Sequence, residues 1–369
     1  MAKNGFKVMD SDMHVIEPGG LWERYIDPAF KSRAPKGLTR YQGDMQMIIP
    51  GIKPAHWPSD EWEKAKAAEQ DDIYRDSYRN DWDSPSQVRA MDREGIDVAI
   101  LYPSRGLYVL DVDGMDPGLG ASIARAYNDW MRDFCSVAPN RLYGAAMASP
   151  FDVESAITEA QRASKETWFK AVFIRPNIVN GRNWYDRSYD PLWAEVQSLG
   201  VPLGFHEGAY VYTLPQVGSK FDTYMMHHTC CHSMEMMLAV VSFIGGGILE
   251  RFPSLKVGFL EGNCSWVPWL VWRLNGHYEL SGKYESPELK LEPMEYFQRQ
   301  CYVSIDADEE PGKFVEKFGL IDNVVFSTDY PHNDAKYPHA IDTFLKMPFS
   351  QRSRRKILWN NCARMYGFN

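Results

Sequence analysis

The chain lacks any apolar run near the ~18 residues that a membrane helix requires, so no transmembrane span is expected. No basic cluster stands out, and the formal net charge is -9. Nucleic acid is therefore not expected as a partner. The six cysteines (Cys135, Cys230, Cys231, Cys264, Cys301 and Cys362) form no Cys-x-x-Cys pair and no disulfide framework. In a reducing compartment most of them read as buried apolar residues, although Cys230-Cys231 lies amid histidines, which leaves a metal role open. No flavin or nicotinamide fingerprint, internal repeat or low-complexity tract is present. The first apolar segment is not preceded by a signal-peptide core, and a cytoplasmic protein is expected.

Aromatic residues, by contrast, are abundant. They make up 14% of the chain, with 12 Trp and 20 Tyr, which suits an apolar pocket or a large subunit interface. With 369 residues, 44% of them hydrophobic, the chain can bury a large core. That length would allow two domains, but α/β barrels run long as single domains.

Short apolar segments at 7–12, 98–102, 142–146, 171–174, 202–206, 256–260, 303–305 and 324–327 read as buried strands. Helical patterns fall between and after them at 86–94, 121–138, 153–164, 191–199, 233–251, 268–279, 311–318 and 337–346. Such alternation predicts a (β/α)8 TIM barrel spanning 1–369 as one domain. A last helix at 350–365 is expected to pack outside it. The polar, aromatic segment 37–83 breaks the alternation. An excursion of this length after a first strand is expected to act as a lid or an interface.

Catalytic residues of such barrels sit at the C-terminal ends of the strands. Asp12 and His14 close strand 1 and, two residues apart, share a face. His206 closes strand 5, Glu261 strand 6 and Asp329 strand 8. Each alone reads equally well as a hydrogen-bonded or capping residue, but together they point to a metal site. Glu17 and His232 are further candidate ligands, and His228 lies one helical turn before His232. His332, three residues after Asp329, is expected near the chemistry as ligand, proton shuttle or hydrogen-bond donor. Arg105, just past strand 2, suits a substrate carboxylate or a structural salt bridge. Arg175 has a weaker claim of the same kind.

The pieces DSDMHVIEP, REGIDVAILYP, PLWAEVQSLGVPLGFHEG, HSMEMMLAVVSFIGGGILERFPSLKVGFLEGN and FSTDYPHND resemble the amidohydrolase superfamily. The resemblance is to the branch typified by aminocarboxymuconate-semialdehyde decarboxylase and γ-resorcylate decarboxylase, and it spans nearly the whole chain. It implies a distorted barrel whose metal is held by Asp12, His14, His206 and Asp329. Two departures stand out. Strand 1 carries Asp12-x-His14 where His-x-His is commonest in the superfamily. Strand 6 carries Glu261 where the family places a His that serves as base or acid.

One zinc ion takes about four ligands. The set Asp12, His14, Glu17, His206, His232, Glu261 and Asp329 exceeds that, and its oxygen content favours iron or manganese. Two such ions are therefore expected, the alternative being one Zn or Mn with Glu17 and Glu261 bonded to the His ligands. The chain is also similar to a subgroup of dinuclear Fe/Mn oxygenases, among them 2-aminoisobutyrate hydroxylase. The expected activity is thus O2-dependent hydroxylation of a small acid or amino acid. O2 and an external electron donor would be the co-substrates, and Glu261, Asp329 and His332 would serve catalysis. The alternative is non-oxidative decarboxylation or hydrolysis, with Glu261 or Asp329 as base. A barrel subunit that only supports a catalytic partner would be expected to lose ligands, and this chain has gained them. A homo-oligomer, or a hetero-oligomer with a homologous subunit, is expected from the branch.

Overall fold

The computed structural model describes residues 3–37, 47–52, 60–209 and 211–368. Eight parallel strands form one sheet in chain order: β1 (Met9–Val15), β2 (Val98–Pro103), β3 (Leu142–Met147), β4 (Phe169–Ile174), β5 (Leu203–His206), β6 (Val257–Leu260), β7 (Cys301–Ile305) and β8 (Val324–Phe326). Strands such as VAILYP and VGFL are buried along their whole length. A sheet covered on one face by helices and filled on the other selects such continuous apolar runs.

The sheet curls into a nearly closed TIM-type barrel, and side chains stitch the last seam. Ser11 Oγ donates to the Phe326 carbonyl at 2.7 Å, and Ser327 Oγ donates to the Asp12 carbonyl at 3.0 Å. The His14 backbone N–H donates to the Tyr330 carbonyl at 2.7 Å. Thr328 hydrogen-bonds Asp10 through its hydroxyl and its backbone N–H. The β1–β2 register shifts between Asp10 and Met13, an irregularity of the kind that re-aims side chains beside active sites.

Helices pack outside the sheet, and their starts follow from capping. Asp83, Asp116 and Asp152 each accept backbone N–H bonds at the head of a helix, and Gly95 and Gly200 end helices at positive φ. Several expected boundaries move. The helix expected at 233–251 begins at Tyr224, because the Thr223 hydroxyl caps it by accepting from Met226 N. It runs to Gly245 and is resumed at Ile248–Arg251 after Gly247, whose φ is +71°. The helix expected at 311–318 is a 3-10 helix, Glu310–Phe318. The one expected at 337–346 shrinks to Ala340–Phe344. The C-terminal helix divides into α, π and α segments.

Within the excursion, residues 38–46 and 53–59 lie outside the described residues, but Asp60–Arg79 is a 20-residue helix. Its Tyr74 packs on Tyr330 and Tyr337, with ring centroids 5.7 and 5.4 Å away. Ser77 Oγ lies 2.8 Å from the Tyr330 hydroxyl. The helix thus braces the loop that leaves β8.

Candidate metal centre

Five strand-end side chains meet at the C-terminal mouth of the barrel. His206 Nε2 lies 3.2 Å from Asp12 Oδ1 and 2.9 Å from Glu261 Oε2. His14 Nε2 lies 3.6 Å from both Asp12 Oδ1 and Asp329 Oδ1. All five of these atoms are buried, and none has a hydrogen-bond partner. Buried polar atoms are rarely left unpaired. Donor atoms this close that face one point without bonding each other are what a cation site requires, so the residues fit a divalent ion.

The rings are held for that purpose. His14 Nδ1 is 2.8 Å from the Pro103 carbonyl, and His206 Nδ1 is 2.8 Å from the Glu207 carbonyl. A carbonyl can only accept, so each Nδ1 carries the proton and each Nε2 presents a lone pair to the centre. The backbone is constrained as well: Glu261, Asn263 and Asp329 sit at φ of 53°, 59° and 54°. Positive φ outside glycine is costly and concentrates at functional sites.

The electrostatics of these side chains suit a cation site. Burial pushes the Glu261 carboxyl up to about 7. Burial, together with the nearby Glu261, Asp334 and Asp12, raises Asp329 well above the usual carboxylate range. Burial opposes charge on His206, yet Asp12 and Glu261 beside it lift the ring to about 10. His14 has no such support, and burial drives it well below its ordinary value. Protons are thus drawn to places that a metal ion would neutralise.

A second group adjoins the first. His228 and His232 share one face of the helix Tyr224–Gly245, with ring centroids 4.8 Å apart. His232 Nε2 lies 3.5 Å from Glu261 Oε1, and ligand atoms of His228, His232 and Glu261 fall within 4.8 Å of one another. Glu261 therefore turns one oxygen to each group. His332 Nδ1 is 2.7 Å from Asp329 Oδ1, and its Nε2 is 2.9 Å from Ser104 Oγ. Ser104, which the sequence reading missed, has as its only signal a place two residues beyond the tyrosine of strand 2.

Two expected residues go elsewhere. Glu17, expected as a ligand, does not reach the cluster. Its Oε2 accepts the backbone N–H groups of Ser104 and Arg105 at 3.3 and 2.8 Å, and its Oε1 accepts that of Gly106 at 2.9 Å. These bonds anchor the loop after β2. Gly106 is needed there, because a Cβ would stand 2.8 Å from Glu17 Oε1. Arg105, expected to meet a substrate carboxylate, turns its buried guanidinium to the Glu17 carbonyl at 2.6 Å. Arg175 likewise pairs inside the protein, with Glu207 and with Asp111.

The amidohydrolase family profile matches residues 9–368. The chain belongs to the amidohydrolase family. It is 26% identical over 312 residues to 2-amino-3-carboxymuconate-6-semialdehyde decarboxylase of Dictyostelium discoideum, covering 83% of this chain and 82% of that protein. Among solved structures, an amidohydrolase from Mycobacterium avium subsp. paratuberculosis superposes with a TM-score of 0.79 at 22% identity, covering 98% of this chain and 99% of that one. A dihydroxybenzoic acid decarboxylase from Polaromonas, with bound manganese and 2-nitroresorcinol, gives a TM-score of 0.67 at 20% identity, covering 99% and 98%. This amidohydrolase is accordingly a metal-dependent enzyme of the superfamily. Its relatives are decarboxylases, which favours the non-oxidative alternative over the hydroxylase expected first. No helix among the described residues is long and apolar enough to cross a membrane.

Proposed function

We propose that this amidohydrolase is a divalent-metal-dependent enzyme that removes or hydrolyses a carboxyl-derived group of a small organic acid without an oxidant. The observation that carries the reading is the ring of unpaired, buried donors on Asp12, His14, His206 and Asp329. Those four would hold one ion, and manganese, found in the Polaromonas decarboxylase, suits their mix of oxygen and nitrogen. When bound, the ion supplies Lewis acidity that polarises a substrate oxygen.

The chain's own groups do the rest. Glu261 Oε2 faces the ligand cluster and Oε1 faces the neighbouring histidines, so its carboxyl is placed to hold or deliver a proton at the reacting carbon. His332, kept neutral by burial, stands between Asp329 and Ser104. The contact between Ser104 Oγ and His332 Nε2 orients the ring and turns Nδ1 towards Asp329.

A second reading rests on Glu261 alone. One carboxylate with each oxygen turned to a separate ligand group, Asp12–His14–His206 on one side and His228–His232 on the other, suits a bridge between two ions. That supports a dinuclear Fe/Mn oxygenase, with an external electron donor.

The test is metal analysis with gas measurement on a panel of small carboxylic acids. About one equivalent of Mn and CO2 release that persists without O2 is the expected result. Two equivalents of Fe or Mn, with O2 uptake matched to turnover, would replace it with the second reading.

A further inference from the structure

The turn that carries Glu261 is built from backbone that residues with a side chain avoid. Glu261 and Asn263 lie at φ of 53° and 59°, on either side of Gly262. Left-handed backbone is costly outside glycine and persists only where its surroundings impose it. Gly262 itself sits hard against a helix, since a Cβ there would stand 2.7 Å from Met236 Cγ. Glu261 is also the residue whose two oxygens face two ligand groups, so what holds this turn decides where those oxygens point.

One short segment supplies the hold. Residues 304–309, at the end of β7 and in the loop after it, meet the turn at three points. The Glu261 backbone N–H donates to Ser304 Oγ at 2.9 Å. The Asn263 side-chain amide donates to Asp306 Oδ2 at 2.6 Å. Glu309, which is buried, takes the far end. Its Oε1 accepts the backbone N–H groups of Cys264 and Ser265 at 2.9 and 2.7 Å, and the Ser265 hydroxyl as well. Its Oε2 accepts the Asp306 N–H at 3.4 Å and so closes the segment on itself. All of these donors are neutral, so directed hydrogen bonds hold the buried carboxylate. Glu309 also stands before the helix Val267–His277, whose Trp266 supplies no side-chain cap. The partial positive charge of a helix start favours an anion there.

We infer that Glu309 is a positioning residue for Glu261: it pins Cys264 and Ser265, and the pinned turn keeps Glu261 left-handed, with Oε2 on the His206 side and Oε1 on the His232 side. This rests on the reading of Glu261 as the carboxyl that faces the ligand cluster. Glu309 turns both of its own oxygens to the loops, so it acts through the turn alone. The turn reaches the histidine pair too. The Gly262 carbonyl accepts from Ser233 Oγ at 2.9 Å, and Ser233 follows His232 on its helix. A relaxed turn would therefore shift Glu261 against both of its histidine neighbours.

The experiment loads the full chain with manganese and records its electron paramagnetic resonance spectrum, which reports the symmetry of the ion's surroundings. Glu309→Gln keeps the side chain's size but brings an amide to donors that need an acceptor. Its spectrum is expected to move from the wild type towards that of Glu261→Gln, and the double variant is expected to add nothing to Glu261→Gln alone. Glu17→Gln is the control: it loosens a different loop by the same chemistry and should keep the wild-type spectrum. Ser265→Ala removes one bond to Glu309 and should shift the spectrum the same way by less, which serves where Glu309→Gln fails to fold. A wild-type spectrum in Glu309→Gln and Ser265→Ala, beside a shifted one in Glu261→Gln, overturns the inference and leaves Glu309 a loop anchor. An equal shift in Glu17→Gln overturns it as well. Hydrogen exchange of residues 261–265 in the metal-free protein separates this inference from the reading it rests on. Loss of the Glu309 bonds should speed exchange there by about tenfold. Faster exchange with no spectral shift even in Glu261→Gln rejects Glu261's place at the ion and keeps Glu309's hold on the turn. Unchanged exchange rejects that hold.

Discussion

Glu261 Oε2 and His206 Nε2 lie 2.9 Å apart, and neither atom has a hydrogen-bond partner. His206 Nδ1 is held on the Glu207 carbonyl, so Nε2 is the ring nitrogen that faces the Glu261 carboxylate oxygen across the barrel mouth. Buried this way, the pair needs a proton or a metal cation between its two atoms. The same reasoning covers Asp12 and His14, whose orphaned atoms complete the ring. The family relationship and the geometry thus reach the metal by independent routes.

Replacing His206 with alanine removes one arm of that ring. The variant is expected to lose most of its tightly held divalent ion, by about 100-fold or more in affinity, given that even outer-shell changes cost 10–100-fold. Elemental analysis after dialysis checks this, with circular dichroism as the control for folding. Full metal retention would show that His206 Nε2 does not ligate.

Glu261→Gln separates a proton carrier from a bridge. The substitution keeps the side chain's shape and removes its ability to ionise. If Glu261 moves a proton, the variant keeps its metal and loses about 10²–10⁴ in rate. Loss of one equivalent out of two would assign it instead to an ion pair, and metal counting beside the rate decides between them.

Much of this centre was legible in the sequence, for a physical reason. Strand ends in a barrel are fixed in space by chain order, so Asp12, His14, His206, Glu261 and Asp329 could be brought together without coordinates. Glu17 could not be placed that way. It lies beyond the strand, and its fate depends on three backbone N–H groups at Ser104, Arg105 and Gly106, about ninety residues on. The loop also fixes Arg105, whose donors serve it rather than the cavity. His228 depended on where a helix starts, which Thr223 decides. Asp306 and Asp334 sit on loops after β7 and β8, whose paths no periodicity encodes.

Glu17→Gln tests the anchoring role directly. A glutamine cannot present two oxygens to the three donors, and its amide would face at least one N–H. The expected cost is about 1–3 kcal/mol of stability, with metal content unchanged. Denaturant unfolding beside elemental analysis measures both. A drop in metal equivalents at unchanged stability would return Glu17 to the ligand set.

Asp111 gives a pH signature. It is fully buried, accepts the Tyr212 backbone N–H at 3.0 Å, and lies 3.7 Å from Arg175. Burial outweighs both partners and lifts its pKa from 3.8 to about 7. The folded protein therefore keeps a proton that the unfolded chain releases above pH 4. Stability from this group is complete below that point and is lost as pH rises towards 7, with a slope of roughly 1 kcal/mol per pH unit. Asp10 and Glu17, raised to about 7 in the same way, act in the same direction, so the wild type alone cannot isolate Asp111. Asp111→Asn can, because the amide keeps an oxygen for Tyr212 and cannot ionise. Unfolding free energies of the two proteins between pH 4.5 and 8 should diverge in favour of the variant as pH rises, then run parallel. Parallel curves across the whole range would mean that Arg175 holds Asp111 ionised at an ordinary carboxylate value.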